Sequence, residues 1–194
     1  MSAAELEACI AAGGVAVFPA DTVYGLACDP ENAAAVERLY ALKGRDPGQA
    51  AAVMFFALAP VLAALPELGS RTREAFEALL PGGVTLLIPN PEGHYPLAGG
   101  GETLGIRVPD LPALATVTRP VLQSSANHSG GADARRLDDV PSDIRAGADL
   151  VIDGGELPGA PSTVVDLRRF EADGAWDVLR VGAVHVAEIA AALD

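Results

Sequence analysis

Apolar residues fall in short blocks whose spacing switches between the helical and the extended period along the chain. Residues 3–12 are Ala-rich at helical spacing and stop at Gly13-Gly14, which predicts a first helix. Val15 to Phe18 is an apolar run between that glycine pair and Pro19, the signature of a buried strand. Ala20 to Pro30 is polar and turn-rich. Glu31 to Leu42 carries Ala35, Val36, Leu39 and Tyr40 at helical spacing, with Asp29 as the expected N-cap and Pro30 at the first helical position. This helix is expected to end at Lys43-Gly44-Arg45, ahead of a Pro47-Gly48 loop.

Ala51 to Leu58 is apolar throughout and predicts a central strand. A helix over about 70–80 is stopped by Pro81-Gly82-Gly83, and Val84 to Ile88 reads as a strand. A Gly-rich hairpin or loop covers 90–102, Thr103 to Val108 alternates as a strand, and Pro120 to Gln123 forms a short one. Ser124 to Gly131 is a polar loop of small residues, and the polar stretch 132–147 includes a helix. Leu150 to Ile152, Ser162 to Asp166 and Asp177 to Val181 predict later strands, and a last helix covers about 184–193. Strands and helices interleave without a repeat or a linker between two cores, so the expected class is α/β, with one domain over residues 1–194.

Composition narrows the function classes. Half of the 194 residues are apolar and a fifth are charged, a globular balance in a chain long enough to build its core without disulfides. The formal net charge of −13 repels nucleic-acid backbones and anionic membranes, so any phosphate binding must be local. No stretch is long and apolar enough to cross a bilayer, and residues 1–10 lack a basic signal-peptide start, which predicts a soluble, cytoplasmic protein. Cys9 and Cys28 are expected to be buried thiols. His94, His128 and His185 do not group at ligand spacing, so no dedicated metal site is expected. Lys43 is the only lysine among 13 basic residues.

Three loops carry the candidate chemistry. Pro19 to Gly25 follows a strand, where open α/β sheets place ligands, and offers the hydroxyls of Thr22 and Tyr24. Lys43-Gly44-Arg45 puts two cations at a helix end, which suits either the helix dipole or a polyphosphate. Ser124 to Gly131 can form a nest of donors around an anion. Arg107 and Arg180 lie at strand ends. The Walker A spacing, a GxGxxG after the first strand and a serine nucleophile elbow are all absent.

Taken in order, these pieces resemble the YrdC family of threonylcarbamoyl-AMP synthases. The resemblance runs from Gly13 to Gly182. It is carried by Pro-Ala-Asp-Thr-Val-Tyr-Gly-Leu at 19–26, Lys-Gly-Arg at 43–45, Pro-Gly-Gly-Val-Thr at 81–85 and Gly-Ile-Arg-Val-Pro at 105–109. Ser-Ser-Ala-Asn-His-Ser-Gly at 124–130, Ser-Thr-Val-Val-Asp at 162–166 and Leu-Arg-Val-Gly at 179–182 complete it. It implies a twisted, open mixed sheet with flanking helices around a large concave cavity. It implies synthesis of threonylcarbamoyl-AMP from L-threonine, bicarbonate and ATP, with magnesium carried by ATP and no metal held by the protein. The product would pass to a tRNA threonylcarbamoyl transferase complex, with tRNA contact by this chain weak or indirect.

By position, the resemblance implies threonine contacts from Thr22, Arg107 and Ser162, with Tyr24 as a pocket wall. Lys43 and Arg45 would hold the triphosphate as the catalytic pair. Gln49, Thr103, Ser125, Asn127 and Arg180 would line the nucleotide site. The chain departs from the family pattern at Ala20, Ala50-Ala51, Met54, Gly83 and Asp110. Ala20 and Met54 are expected on the amino-acid side of the pocket, where threonine selectivity would be set. The alternatives are a carbamoyl-phosphate-dependent carbamoyl transferase relative and a non-catalytic RNA-binding module. The short chain without cysteine clusters speaks against the first, and the acidic charge against the second.

Overall fold

The computed structural model describes residues 2–46 and 48–193. Met1, Asp194 and Pro47 of the expected Pro-Gly loop lie outside the described residues. The strands are β1 (Ala16–Pro19), β2 (Tyr24–Cys28), β3 (Ala52–Met54), β4 (Val84–Pro89), β5 (Thr103–Arg107), β6 (Val121–Ser125), β7 (Leu150–Val151), β8 (Thr163–Arg169) and β9 (Ala175–Arg180). They form one mixed sheet in the order β7-β1-β2-β6-β3-β5-β4-β8-β9. The β1/β7, β3/β5 and β4/β8 pairs are parallel and the others antiparallel. The helices are α1 (Ala3–Ala11), α2 (Ala33–Lys43), α3 (Leu58–Ala64), α4 (Ser70–Leu79), α5 (Ser142–Gly147), α6 (Phe170–Asp173) and α7 (Val186–Leu193). The α/β class and the mixed sheet with flanking helices match the expectation.

Four elements differ from the sequence reading. β2 lies inside the segment expected to be turns, because Tyr24 to Cys28 is an apolar pentapeptide masked by Pro19, Asp21 and Pro30 around it. The apolar run 51–58 does not form one strand: β3 ends at Met54 and α3 starts at Leu58. β6 runs on through Ser124 and Ser125, which pair with Leu26 and Gly25, so the polar loop begins two residues later. The N-cap of α2 is Asn32, not Asp29: the Asn32 side chain accepts from Ala35 N at 3.1 Å, while Asp29 Oδ1 accepts from Glu31 N at 2.9 Å. A cap of this kind is worth about 1 kcal/mol. Gly44 ends the helix at φ 58°, a left-handed conformation that a side chain would resist.

The sheet is covered unequally. One face carries the larger core, where Leu26, Val53, Leu86, Ile106 and Val165 meet Leu39 of α2, Phe76 of α4, Ile144 of α5 and Ile189 of α7. On the other face a smaller core gathers Phe18, Ala27, Met54, Phe56 and Val121 under Leu6 and Ile10 of α1, with Leu114 and Val117. Leu6 and Ile10 stand four apart on one face of α1, and both are buried. Beyond this smaller core the second face, from β6 to β9, lines a cavity.

Candidate active site

The cavity holds about 350 Å³. Strand alternation fills its wall: the residues between core positions point into it. Thr103, Gly105 and Arg107 do so on β5 while Leu104 and Ile106 enter the core. Thr85 and Leu87 do so on β4, Gln123 on β6, and Val164 on β8. Three arginines converge there from different elements: Arg45 beyond α2, Arg107 at the end of β5 and Arg180 at the end of β9.

Arg107 is the most enclosed of the three at 2% exposure. Its guanidinium forms an ion pair with Asp21 and donates to Thr22 Oγ1 at 2.6 Å, and its Nε is sealed off without a partner. Burial pulls its pKa down while the Asp21 carboxylate opposes the shift; a guanidinium stays charged under both. Asp21 is itself fixed by accepting from Asp110 N at 3.1 Å. Arg180 donates to Ser162 O at 2.8 Å and to Ser162 Oγ at 3.2 Å. Ser162 Oγ in turn lies 2.8 Å from Thr85 Oγ1. At the opposite end Arg45 donates to Ser124 Oγ at 3.0 Å and to the Ala50 carbonyl, with its carbon centre 5.7 Å from the Tyr40 ring centre. Its Nε also lacks a partner.

Of the expected residues, Arg45, Thr103, Ser125, Arg107, Ser162 and Arg180 line the cavity together. Thr22 is buried and reaches it through Arg107. Four other expected residues stand outside the cavity lining. Lys43 does not line the cavity: its ammonium donates to Ser125 O at 2.5 Å, Asn127 O at 2.7 Å and Asn127 Oδ1 at 3.2 Å. Burial, reinforced by the Arg45 charge and opposed by Asp133, pulls its pKa down to about 8. Asn127 is likewise a builder of the loop, accepting from Ser125 Oγ at 2.5 Å and donating to Gly131 O at 2.6 Å. Tyr24 lies in the larger core, because alternation on β2 turns it to the side of Leu26 and leaves Gly25 on the side of Gln123. Its hydroxyl lies 2.9 Å from Gly155 O and accepts from Gly154 N at 2.9 Å. Gln49 is exposed in the loop after α2, and its carbonyl accepts from Tyr40 at 3.1 Å.

Among the cavity and partner residues not read from the sequence as site residues are Asp21, Thr85, Gln123 and Asp133. Thr85 had a signal, being the one polar residue inside an apolar strand. Ala20 and Met54, expected on the amino-acid side, are packed into the smaller core and do not line the cavity.

The Sua5_yciO_yrdC family model, described as "Telomere recombination", matches residues 8–182. A threonylcarbamoyl-AMP synthase of Thiobacillus denitrificans is 34% identical over 171 residues, 84% of this chain and 89% of that protein. Another, of Chromohalobacter salexigens, is 35% identical over 179 residues, 87% of this chain and 94% of that protein. The structure superposes on Sua5 of P. abyssi complexed with L-threonine at a TM-score of 0.87 and 27% identity, covering 98% of this chain and 57% of that one.

Proposed function

The chain belongs to the Sua5/YciO/YrdC family, and from that premise we propose that it is a threonylcarbamoyl-AMP synthase, joining L-threonine, bicarbonate and ATP with release of pyrophosphate. The observation that carries the reading is the convergence of Arg45, Arg107 and Arg180 on one cavity in a chain of net charge −13. Such a cavity suits a ligand set that is anionic at both ends.

The arginine environments divide the cavity. Arg107, whose Nη2 is held by Asp21 and Thr22, takes the amino-acid carboxylate with the Nη1 donors that neither of them uses. Arg45, with Ser125 and Thr103, takes the triphosphate, and Arg180, held by Ser162, adds a further positive charge to the cavity. Lys43 adds its charge from behind the Ser124–Gly131 loop, whose carbonyls it holds, and Asn127 shapes the same loop. The amine of threonine adds carbon dioxide, formed from bicarbonate by loss of water, and gives up a proton to become a carbamate. A carbamate oxygen then attacks the α-phosphorus, and the bond to the bridging oxygen breaks to release pyrophosphate. No protein nucleophile is needed, so catalysis is positioning and charge neutralisation.

Magnesium enters with ATP as part of that substrate. Asp133 is the only carboxylate among the described cavity residues, which fits an ion held mainly by phosphate oxygens and water, where it shields phosphate charge. The same reading has the product handed to a tRNA threonylcarbamoyl transferase complex in the cytoplasm. No helix among the described residues is long and apolar enough to cross a membrane.

Pyrophosphate release from ATP and bicarbonate tests the reading. It should depend on L-threonine, with L-serine and carbamoyl phosphate as comparison substrates. Release with carbamoyl phosphate but not with threonine would move the protein to carbamoyl transfer, and release with neither would refute the synthase assignment.

A further inference from the structure

Gln123 occupies the middle of β6, in register with Ala27 of β2 and Ala52 of β3. It faces the cavity and is only 7% exposed. Its side chain makes no hydrogen bond to any described residue, yet neither polar atom is sealed from the cavity. An amide that the protein leaves without partners and open to the cavity offers its donors and acceptor to whatever fills that space, water or ligand. The floor beside it is bare, formed by Ala52 and Gly105, and Gly25 lies against the amide on the β2 side. A Cβ on Gly25 would come within 2.9 Å of Gln123 Nε2, so glycine leaves the amide its room.

Register fixes where along the cavity this group stands. Ala52 pairs with both Gln123 and Gly105, while Arg107 pairs with Met54, two residues to one side. Thr103 and Ser125 lie two residues to the other side. Gln123 therefore stands midway between the end assigned to the amino-acid carboxylate and the end assigned to the phosphates.

We propose that Gln123 is the residue that binds the bicarbonate-derived carbamate group at the centre of the cavity, an inference that rests on the synthase reading. A carbamate presents acceptor oxygens beside an N–H in one plane, and a carboxamide answers with N–H donors beside a carbonyl in one plane. The neutral amide also suits the chemistry. It orients the carbamate oxygens without neutralising the charge that makes them nucleophilic, whereas a fourth arginine there would bind more tightly and blunt the attack.

The test is steady-state pyrophosphate release in carbon-dioxide-stripped buffer with bicarbonate added back, for wild type, Gln123→Leu and Gln123→Ser, with circular dichroism to verify folding. Both variants should raise KM for bicarbonate roughly tenfold, the loss of about one hydrogen bond, while KM for ATP and threonine stays within about twofold. Gln123→Ser decides the matter if the leucine variant does not fold. An unchanged bicarbonate KM in an active variant overturns the proposal, whether the effect falls on discrimination of ATP from GTP or only on melting temperature. A wild type without threonine-dependent release removes the synthase reading itself, and this proposal with it.

Discussion

Lys43 is the chain's single lysine, and the fold buries it at 3% exposure. Its pKa of about 8 lies well below the ordinary 10.5 because burial disfavours the charge. Between those two values the unfolded chain holds a proton that the native chain has shed, so this group's contribution to stability rises with pH across that window and is flat below it. Relative to Lys43→Met, the wild type should gain up to about 3 kcal/mol between pH 8 and 10.5, read from urea midpoints. A difference independent of pH would show the pKa to be ordinary. At the other end of the cavity, Arg107→Lys keeps the charge but loses the planar donor fork. It should raise KM for threonine about tenfold or more, with KM for ATP little changed in the same assay. Cations were the legible part of the site, since a chain with so few of them spends three on one cavity. What stayed hidden was direction: sequence order does not say that Tyr24 faces the larger core and Gly25 the side of Gln123 until the strand phase is known.

Among elements, those with a clean period were read from the sequence, as with α2, α4, β5 and the final helix. The hidden ones are short or mixed in character. β2 looked like turn because its flanks are turn residues, and α3 hid in an apolar run that strand and helix explain equally well. α1 tests whether the smaller core supports the fold apart from the chemistry. Ile10→Ala removes a buried side chain, 1% exposed, that seats this helix on the sheet. It should cost about 2–5 kcal/mol in chemical denaturation while leaving kcat nearly unchanged below the melting range. A large fall in kcat without loss of stability would tie α1 to the site. Asn32→Ala at the start of α2 should cost about 1 kcal/mol by the same measurement.

Across the whole molecule, charge is sorted by place. Many surface arginines pair with carboxylates, as Arg38 does with Asp149 and Arg135 with Glu156. Arg45 and Arg180, by contrast, meet no carboxylate among the described residues, and both face the cavity. The remaining acidic surface should hold bulk tRNA poorly: filter binding at about 0.15 M salt should show no retention by the protein alone. Retention that falls steeply with salt would reveal a basic surface contributed by neither the paired nor the cavity arginines. The burial of the one lysine reaches beyond pH. Amine-directed reagents, and the cellular enzymes that acetylate lysines or attach ubiquitin-like tags, find no exposed lysine side chain among the described residues. Acylation at Lys43, followed by mass spectrometry, therefore works as a built-in clock for how often the loop around it opens.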